Sequence, residues 1–415
     1  MIWSAIVRCL QPYFSPLWIE ARRVSYVRGV GQRPAIYPLN SPRRLFIDVS
    51  VICKHDAGTG IQRVVRTVAS QLLANTWAGW QVHAVNAKRH LPFHTITWPS
   101  DVELSSSDPI DSRPGDVFFG LDYSFDAVCR HEVQLTKFKI LGGQLWFVVH
   151  DLLPIQRPEW FSDKTVVRYR KWLRVIASLG DGFFCNSSQT EKELREQLFL
   201  RYRLDKGFRT VVLPMGWDLA TYSSSKGLPE NFDLFLNKLD INTTVLMVGT
   251  IEPRKAHDEV IAAFDILWKR NCKYNLVIVG RAGWKTTYVQ ALIRSHPRLG
   301  DHLFWLDNAS DEALEKLYIA CDGVIVSSHA EGFGLPLVEA VGYEKPVLAR
   351  DLPVFRLLQE NPLISYFSSD ANVANLACSI DQWTRQLSSG TVEVSGDNGR
   401  SSWEDTAKAV MSSLN

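Results

Sequence analysis

From Arg43 onward, short apolar runs alternate with segments whose apolar positions recur every three or four residues, the pattern of strands interleaved with helices. "RRLFIDVSVI" reads as a strand, and "TGIQRVVRTVASQLL" after it places Ile61, Val64, Val65, Val68, Leu72 and Leu73 at helical spacing. The runs "WQVHAVN", "DVFFGLDY", "GQLWFVVHDLLP", "GDGFFCNSS" and "RTVVLPMG" continue the rhythm, separated by polar or helical stretches such as "DKTVVRYRKWLRVIAS" and "SSQTEKELREQLF". This alternation predicts βα units and a parallel sheet covered on both faces. Between about 219 and 243 the strand signal fades into a Ser/Gly/Pro cluster, which marks an interdomain connection. The rhythm then restarts with "TTVLMVGTIEP", a helix "HDEVIAAFDILWK", "YNLVIVGRAG", "HLFWLD", a helix "SDEALEKLYIA", "CDGVIVSS", "KPVLARDLP" and "PLISYFSS".

The expected fold class is therefore α/β, with two Rossmann-like parallel-sheet domains. Residues 43–218 would form the first and 244–398 the second, joined by 219–243 and flanked by an arm, 1–42, and a last helical segment, 399–415. A length of 415 residues suits two such domains. Lys and Arg number 46 against 44 Asp and Glu, so bulk charge gives no argument for nucleic acid, and any affinity for anions must be local. The seven cysteines, Cys9, Cys53, Cys129, Cys185, Cys272, Cys321 and Cys378, never form C-x-x-C, which argues against a disulfide framework or a structural zinc site and fits a reducing compartment. No run of 18 apolar residues predicts a membrane span, and the first 30 residues lack the pattern of a secretory signal. The arm mixes Trp3, Tyr13, Phe14 and Trp18 with arginines, including Arg22, Arg23 and Arg28, and reads either as a peripheral membrane contact or as a segment packed on the domain surface.

Four stretches carry candidate chemistry. In "SSHAEGFGLPLVEA", Glu331 and Glu339 stand either side of a glycine-rich turn between a strand and a helix, at the carboxyl edge of a sheet. The spacing puts Glu331 in the turn and Glu339 inside the helix, so they can serve different parts of one extended ligand, while the turn lets the amides of Phe333, Gly334 and Leu335 approach its oxygens. In "VGTIEPRKAHDE", Gly249 ends a strand and Arg254 and Lys255 precede a helix, so two cations and a helix start can converge on a diphosphate; a solvated surface pair is the other reading. In "DAGTGIQRVVR", Gly58 and Gly60 form either an anion-binding turn or a helix cap, and Arg63 occupies the third glycine position of a dinucleotide fingerprint. In "WFVVHDLLP", His150 and Asp151 follow an apolar strand, where His150 can bond a sugar hydroxyl or a reactive carbonyl and Asp151 can orient an acceptor, or the pair caps the turn.

Taken together, "EGFGLPLVEA", with its E-x7-E spacing, and "LEKLYIACDGVIVSS" before it resemble the retaining glycosyltransferases of GT-B fold often called family four. The resemblance runs from the first glycine turn to the final helix. It implies two domains facing a central cleft, with the second binding a nucleotide sugar. On that resemblance Glu331 meets the donor hexose and Glu339 the ribose, with backbone from Gly332 to Leu335 alongside, and Arg254 and Lys255 of "GTIEPRK" meet the diphosphate next to Gly249. It likewise puts Gly60 near the transferring group, Gly58 and Asp151 beside the acceptor, and His150 near the reacting sugar. The family uses no bound metal and no cofactor beyond its nucleotide-sugar substrate. "TGIQRVVR" and "HDLLPIQRPEWF" look further like bacterial mannosyltransferases of O-antigen and other surface polysaccharides. This implies GDP-mannose as donor, a lipid-linked oligosaccharide acceptor at the cytoplasmic face of the inner membrane, and contact with polysaccharide-assembly proteins. Transfer of rhamnose, glucose, galactose or fucose, a sugar-phosphate synthase of the same fold, and a noncatalytic glycan-binding protein are the alternatives.

Overall fold

Two separate sheets, one parallel throughout and one parallel apart from an antiparallel edge, account for the repeated rhythm. The computed structural model describes residues 19, 20, 23, 41–56, 58–99, 102–103, 109–218, 227–358, 361–388 and 401–415. The chain divides into two compact units: Met1–Gln156, Asp163–Met215 and Trp403–Asn415 make the first, Arg157–Ser162 and Gly216–Ser402 the second.

The first unit is built on β1 (Arg43–Asp48), β2 (Trp80–Asn86), β3 (His94–Thr97), β4 (Val102–Glu103), β5 (Val117–Gly120), β6 (Gln144–Val149), β7 (Gly182–Cys185) and β8 (Arg209–Val212). Their order is β4-β3-β2-β1-β5-β6-β7-β8. Pairings β2–β3 and β3–β4 are antiparallel, an edge the apolar pattern did not announce because these strands are short and mixed; the rest are parallel. Trp146, Phe118, Phe119, Phe147, Phe183 and Phe184 of the central strands are completely buried, which explains their nearly continuous apolar runs.

Its helices include α1 (Ser50–Lys54), α2 (Gly60–Ala74), α3 (Asp163–Leu179) and α4 (Ser188–Tyr202). The first corrects the reading of "RRLFIDVSVI" as one strand. Asp48 takes the amide of Ser50 at 2.9 Å, and Asp122 takes those of Val51 and Ile52 at 2.6 and 2.8 Å, so two aspartate side chains turn the chain into a helix start.

The second unit contains β9 (Thr244–Val248), β10 (Asn275–Val279), β11 (Leu303–Leu306), β12 (Gly323–Val326), β13 (Val347–Arg350) and β14 (Ile364–Phe367), all parallel, in the order β11-β10-β9-β12-β13-β14. Helices α5 (His257–Lys269), α6 (Asp311–Ala320) and α7 (Leu335–Gly342) belong to it. The expected connection at 219–243 holds a further helix, Phe232–Leu239, whose Phe232 and Leu239 enter this unit's core, so the second unit begins earlier than the strand signal suggested.

The last helix, α8 (Trp403–Leu414), belongs to the first unit. It packs on α2, with Thr406 Oγ1 donating to the Pro214 carbonyl at 2.6 Å and Trp80 Nε1 to Asn415 Oδ1 at 3.0 Å. Most of the arm at 1–42, including Trp3, Phe14, Trp18, Arg22 and Arg28, lies outside the described residues. Arg23 is described, and it follows the surface-packed reading of the arm: its guanidinium donates to the carbonyls of Ala177, Gly180 and Gly207 at 2.5, 2.9 and 2.5 Å. Among the described residues no helix is long and apolar enough to cross a membrane.

Candidate active site

In the second sheet the chain runs outward in one direction through β9, β10 and β11 and in the other through β12, β13 and β14. Strand order therefore reverses between β9 and β12, and in open α/β sheets the crevice outside the carboxyl ends at such a reversal is where ligands bind. Two turns leave those ends, Gly249–Lys255 after β9 and Ser327–Gly334 after β12. Every candidate named for this half of the sequence except Glu339 lies on one of them or opens the helix that follows.

Gly249 has φ +142, and a Cβ there would come 3.2 Å from Lys255 Cε. Its lack of a side chain gives both the backbone conformation and the room for Lys255 to fold back under the strand end. Pro253–Lys255 form one 3₁₀ turn, which brings Arg254 and Lys255 to the neighbouring turn. There Glu331 accepts from Arg254 and, at 2.5 Å, from Lys255, while Ser328 Oγ donates to the same carboxylate at 2.7 Å. Arg254 also pairs with Glu252 at 2.8 Å. Burial pushes the Glu331 carboxyl up, but the charges of Arg254 and Lys255 and the hydrogen bonds of Lys255 and Ser328 outweigh it and hold it at about 2. The two cations thus face two carboxylates. Lys255 is 8% exposed, so the solvated-surface reading of the Arg254–Lys255 pair fails.

The two turns are also tied through their backbones. Ser327 Oγ donates to the Lys255 carbonyl at 2.8 Å, and the His329 amide to the Arg254 carbonyl at 2.7 Å. Beneath them Arg350, 2% exposed, donates to the carbonyls of Ser327 and Ser369, each at 2.9 Å, and to Glu259 at 2.6 Å. Glu259 in turn meets His329 at 2.8 Å. Sequence reasoning passed over Glu252, Glu259, Ser328 and Arg350. An arginine closing the apolar run "KPVLAR" was the available signal, since a cation at a buried strand end needs partners.

Helix α7 starts from Gly334, which has φ +101 and whose Cβ would lie 2.4 Å from the Phe355 ring. No side chain caps it. Pro336 brings no amide and Leu337 N donates to the Gly334 carbonyl at 3.0 Å, so this uncapped start offers an oxygen anion the Leu335 amide and the helix field, beside Gly332 and Phe333. Glu339 lies a turn into α7, 3% exposed, and accepts from the Tyr318 hydroxyl at 2.7 Å. Tyr318 stacks on Tyr343 with ring centroids 5.2 Å apart. The two glutamates thus stand in different surroundings, Glu331 among cations and Glu339 against tyrosines.

The remaining candidates lie at the carboxyl edge of the first sheet. His150 follows β6 and is 3% exposed, with Tyr123 edge-on to its ring at 5.5 Å. Burial, opposed only by a bond to the Leu121 backbone, lowers its pKa to about 4, so the imidazole is neutral near pH 7. Asp151 accepts from the Leu153 amide at 3.1 Å and so starts the one-turn helix Leu153–Gln156, with its own carbonyl taking the Tyr169 hydroxyl at 2.7 Å. Gly58 donates to Asp56 at 2.9 Å, and Gly60 is the first residue of α2. Thr59 and Gln62 close a reciprocal capping box around that helix start. Its T-x-x-Q signature stands in the sequence, and it gives the glycine turn a structural duty alongside any ligand.

Residues 233–388 match the family model described as glycosyl transferases group 1. Over 385 residues the chain is 33% identical to the serotype-specific mannosyltransferase WbdA of Escherichia coli, covering 90% of this chain and 45% of that protein. The chain spans about half the length of the curated relatives it matches first. Among solved structures it is similar to Anabaena HepE in complex with UDP and glucose, with a TM-score of 0.54, 19% identity, and coverage of 90% of this chain and 95% of that one. It is also similar to the sucrose-phosphate synthase of Thermosynechococcus elongatus, with a TM-score of 0.57, 18% identity, and coverage of 90% and 95%. At these identities the likeness shows the fold, two α/β parallel-sheet domains of the GT-B class.

Proposed function

We propose that the chain, whose residues 233–388 match the model of group 1 glycosyl transferases, transfers mannose from GDP-mannose to a growing lipid-linked surface polysaccharide, retaining the donor's α configuration. The observation that carries the transfer reading is the meeting of Arg254, Lys255 and Glu331 beside the uncapped start of α7, where strand order reverses. Mannose rests on the likeness to WbdA.

In this reading the diphosphate lies against the start of α7, with Arg254 and Lys255 opposing the charge that grows on the leaving phosphate. Glu331 shares those cations and faces the hexose, and Glu339 holds the ribose. The acceptor oxygen attacks from the side on which the diphosphate departs, and a phosphate oxygen takes its proton. Neutral His150 accepts a sugar hydroxyl. No metal and no further cofactor enter. The acceptor's lipid brings the protein to the membrane surface, where it works beside other polysaccharide-assembly proteins.

The test is incubation with a panel of sugar nucleotides and lipid-linked mannose acceptors, with products read by mass spectrometry and NMR. The expected result is one added hexose in α linkage, from GDP-mannose. Consumption of UDP sugars alone overturns the donor, a β product overturns retention, and saturable glycan binding without product from any donor overturns transfer.

A further inference from the structure

The carboxyl edge of the first sheet holds a second side chain whose chemistry the mechanism above leaves unused. Strands β6 and β7 pair in register at Val149 and Cys185, so His150 and Asn186 are the next residues along on neighbouring strands. They are 3% and 8% exposed. Each keeps one buried polar atom without a hydrogen-bond partner, Nε2 in His150 and Oδ1 in Asn186. A buried polar atom left unmatched is costly, and two side by side at the ligand-binding edge of an α/β sheet call for an explanation.

What these atoms can bind is fixed by what their neighbours already do. The His150 ring gives a hydrogen to the Leu121 backbone, and since Nε2 has no partner, the nitrogen that gives it is Nδ1. A neutral imidazole with its proton on Nδ1 leaves Nε2 as an acceptor. Asn186 Nδ2 donates to the His150 carbonyl at 2.7 Å. A carbonyl cannot donate, so the amide nitrogen must face it, and the outward oxygen is an acceptor too. Both orphan atoms therefore want donors. A phosphate or carboxylate would set acceptor against acceptor, whereas a sugar ring presents hydroxyls on adjacent carbons.

We propose that Asn186 binds substrate: its Oδ1 accepts a hydrogen bond from one hydroxyl of the sugar whose neighbouring hydroxyl is taken by His150 Nε2. This rests on the glycosyl-transfer reading and adds to it a residue that selects for a pair of hydroxyls. Asn186 escaped the sequence reading because an asparagine before "SSQTEKEL" looks like a residue leading into a helix cap, and the next residue, Ser187, is indeed that cap.

The experiment measures kcat/KM for wild type, Asn186→Ala, Asn186→Ser and His150→Ala with monodeoxy analogues of the donor and acceptor sugars. Serine keeps a donor for the His150 carbonyl and removes the acceptor at Oδ1, so it holds the strand end if the alanine variant does not fold. The expected result is one deoxy analogue that costs wild type at least tenfold but costs either Asn186 variant little, because the partner of that hydroxyl is already gone. A second deoxy position, on an adjacent carbon, behaves the same way with His150→Ala. If wild type makes product and every analogue loses the same factor in wild type and in the Asn186 variants, Asn186 touches no hydroxyl and its Oδ1 meets only water; the transfer reading then stands and this proposal falls. Wild-type protein that forms product from no sugar nucleotide overturns both.

Discussion

Glu331 receives the Lys255 ammonium at 2.5 Å, with side-chain exposures of 7% and 10%. The carboxylate is held at about 2, against an ordinary value of 4.5, because Arg254 and Lys255 outweigh the cost of burying it. A depressed acid adds stability that is present above its unfolded pKa and lost as pH falls through the folded one, here from about 4.5 to about 2. The size is on the order of 3 kcal/mol. Glu331→Gln should lower stability near pH 7 and flatten the loss between pH 4.5 and 2, as followed by urea unfolding at stepped pH. Parallel curves for the two proteins would remove Glu331 from the cation pair.

The same geometry changes what Arg254→Ala and Lys255→Ala should do. An exposed pair would lose turnover alone, but here removing one cation also leaves a buried carboxylate short of a partner. Each variant should lose roughly 2–4 kcal/mol of transition-state stabilisation and melt earlier as well, with Lys255→Ala the more damaging to folding because it is the more buried. Donor kinetics beside thermal melting checks this, and an unchanged kcat/KM in both variants would dismiss them from the diphosphate.

Gly249→Ala should disturb Lys255 from a distance. At φ +142 a side chain is strained, by about 1–3 kcal/mol, and the new Cβ sits 3.2 Å from Lys255 Cε. The expected outcome is a fall in donor turnover larger than the fall in stability predicts. Equal activity per folded molecule would show that Lys255 can shift without consequence.

Much of this site could be read before folding because its framework is local. The run before Ser327 and the apolar spacing after Gly334 placed Glu331 in a turn and Glu339 inside a helix, and both stand there on either side of the start of α7. The pairing of Glu331 with Arg254 and Lys255 was hidden, since it joins residues more than seventy positions apart through the adjacency of β9 and β12. Strand order is a tertiary fact that no periodicity records. The helix at Ser50–Lys54 was missed for a related reason: its amides are gathered by Asp122, remote in sequence.

Helix α8 should be indispensable to the first unit. Trp403, Ala407, Val410, Met411 and Leu414 are all buried, and Arg43 at the start of β1 donates to the Leu414 carbonyl at 3.0 Å. Met411→Ala should cost roughly 2–5 kcal/mol, the usual range for emptying a core position. Urea unfolding checks it, and a cost below 1 kcal/mol would mean that the helix is only loosely docked.

Asp48 gives the opposite pH signature to Glu331. It closes β1 fully buried and accepts from Ser50 and Ser124; burial, with Asp122 adding its charge nearby, pushes it up to about 7 despite those bonds. In the unfolded chain it titrates near 3.8. Between these values the folded protein holds a proton that the unfolded chain has released, so stability must fall as pH rises, by roughly 1.4 kcal/mol per pH unit for a fully linked proton. Asp48→Asn keeps an oxygen for the Ser50 amide and removes the titration. Its stability should therefore decline less than that of wild type between pH 4.5 and 7.5, with the two curves diverging toward neutral pH. Curves that stay parallel across that range would mean that Asp48 is ionised throughout, and that its hydroxyl partners hold the charge in spite of burial.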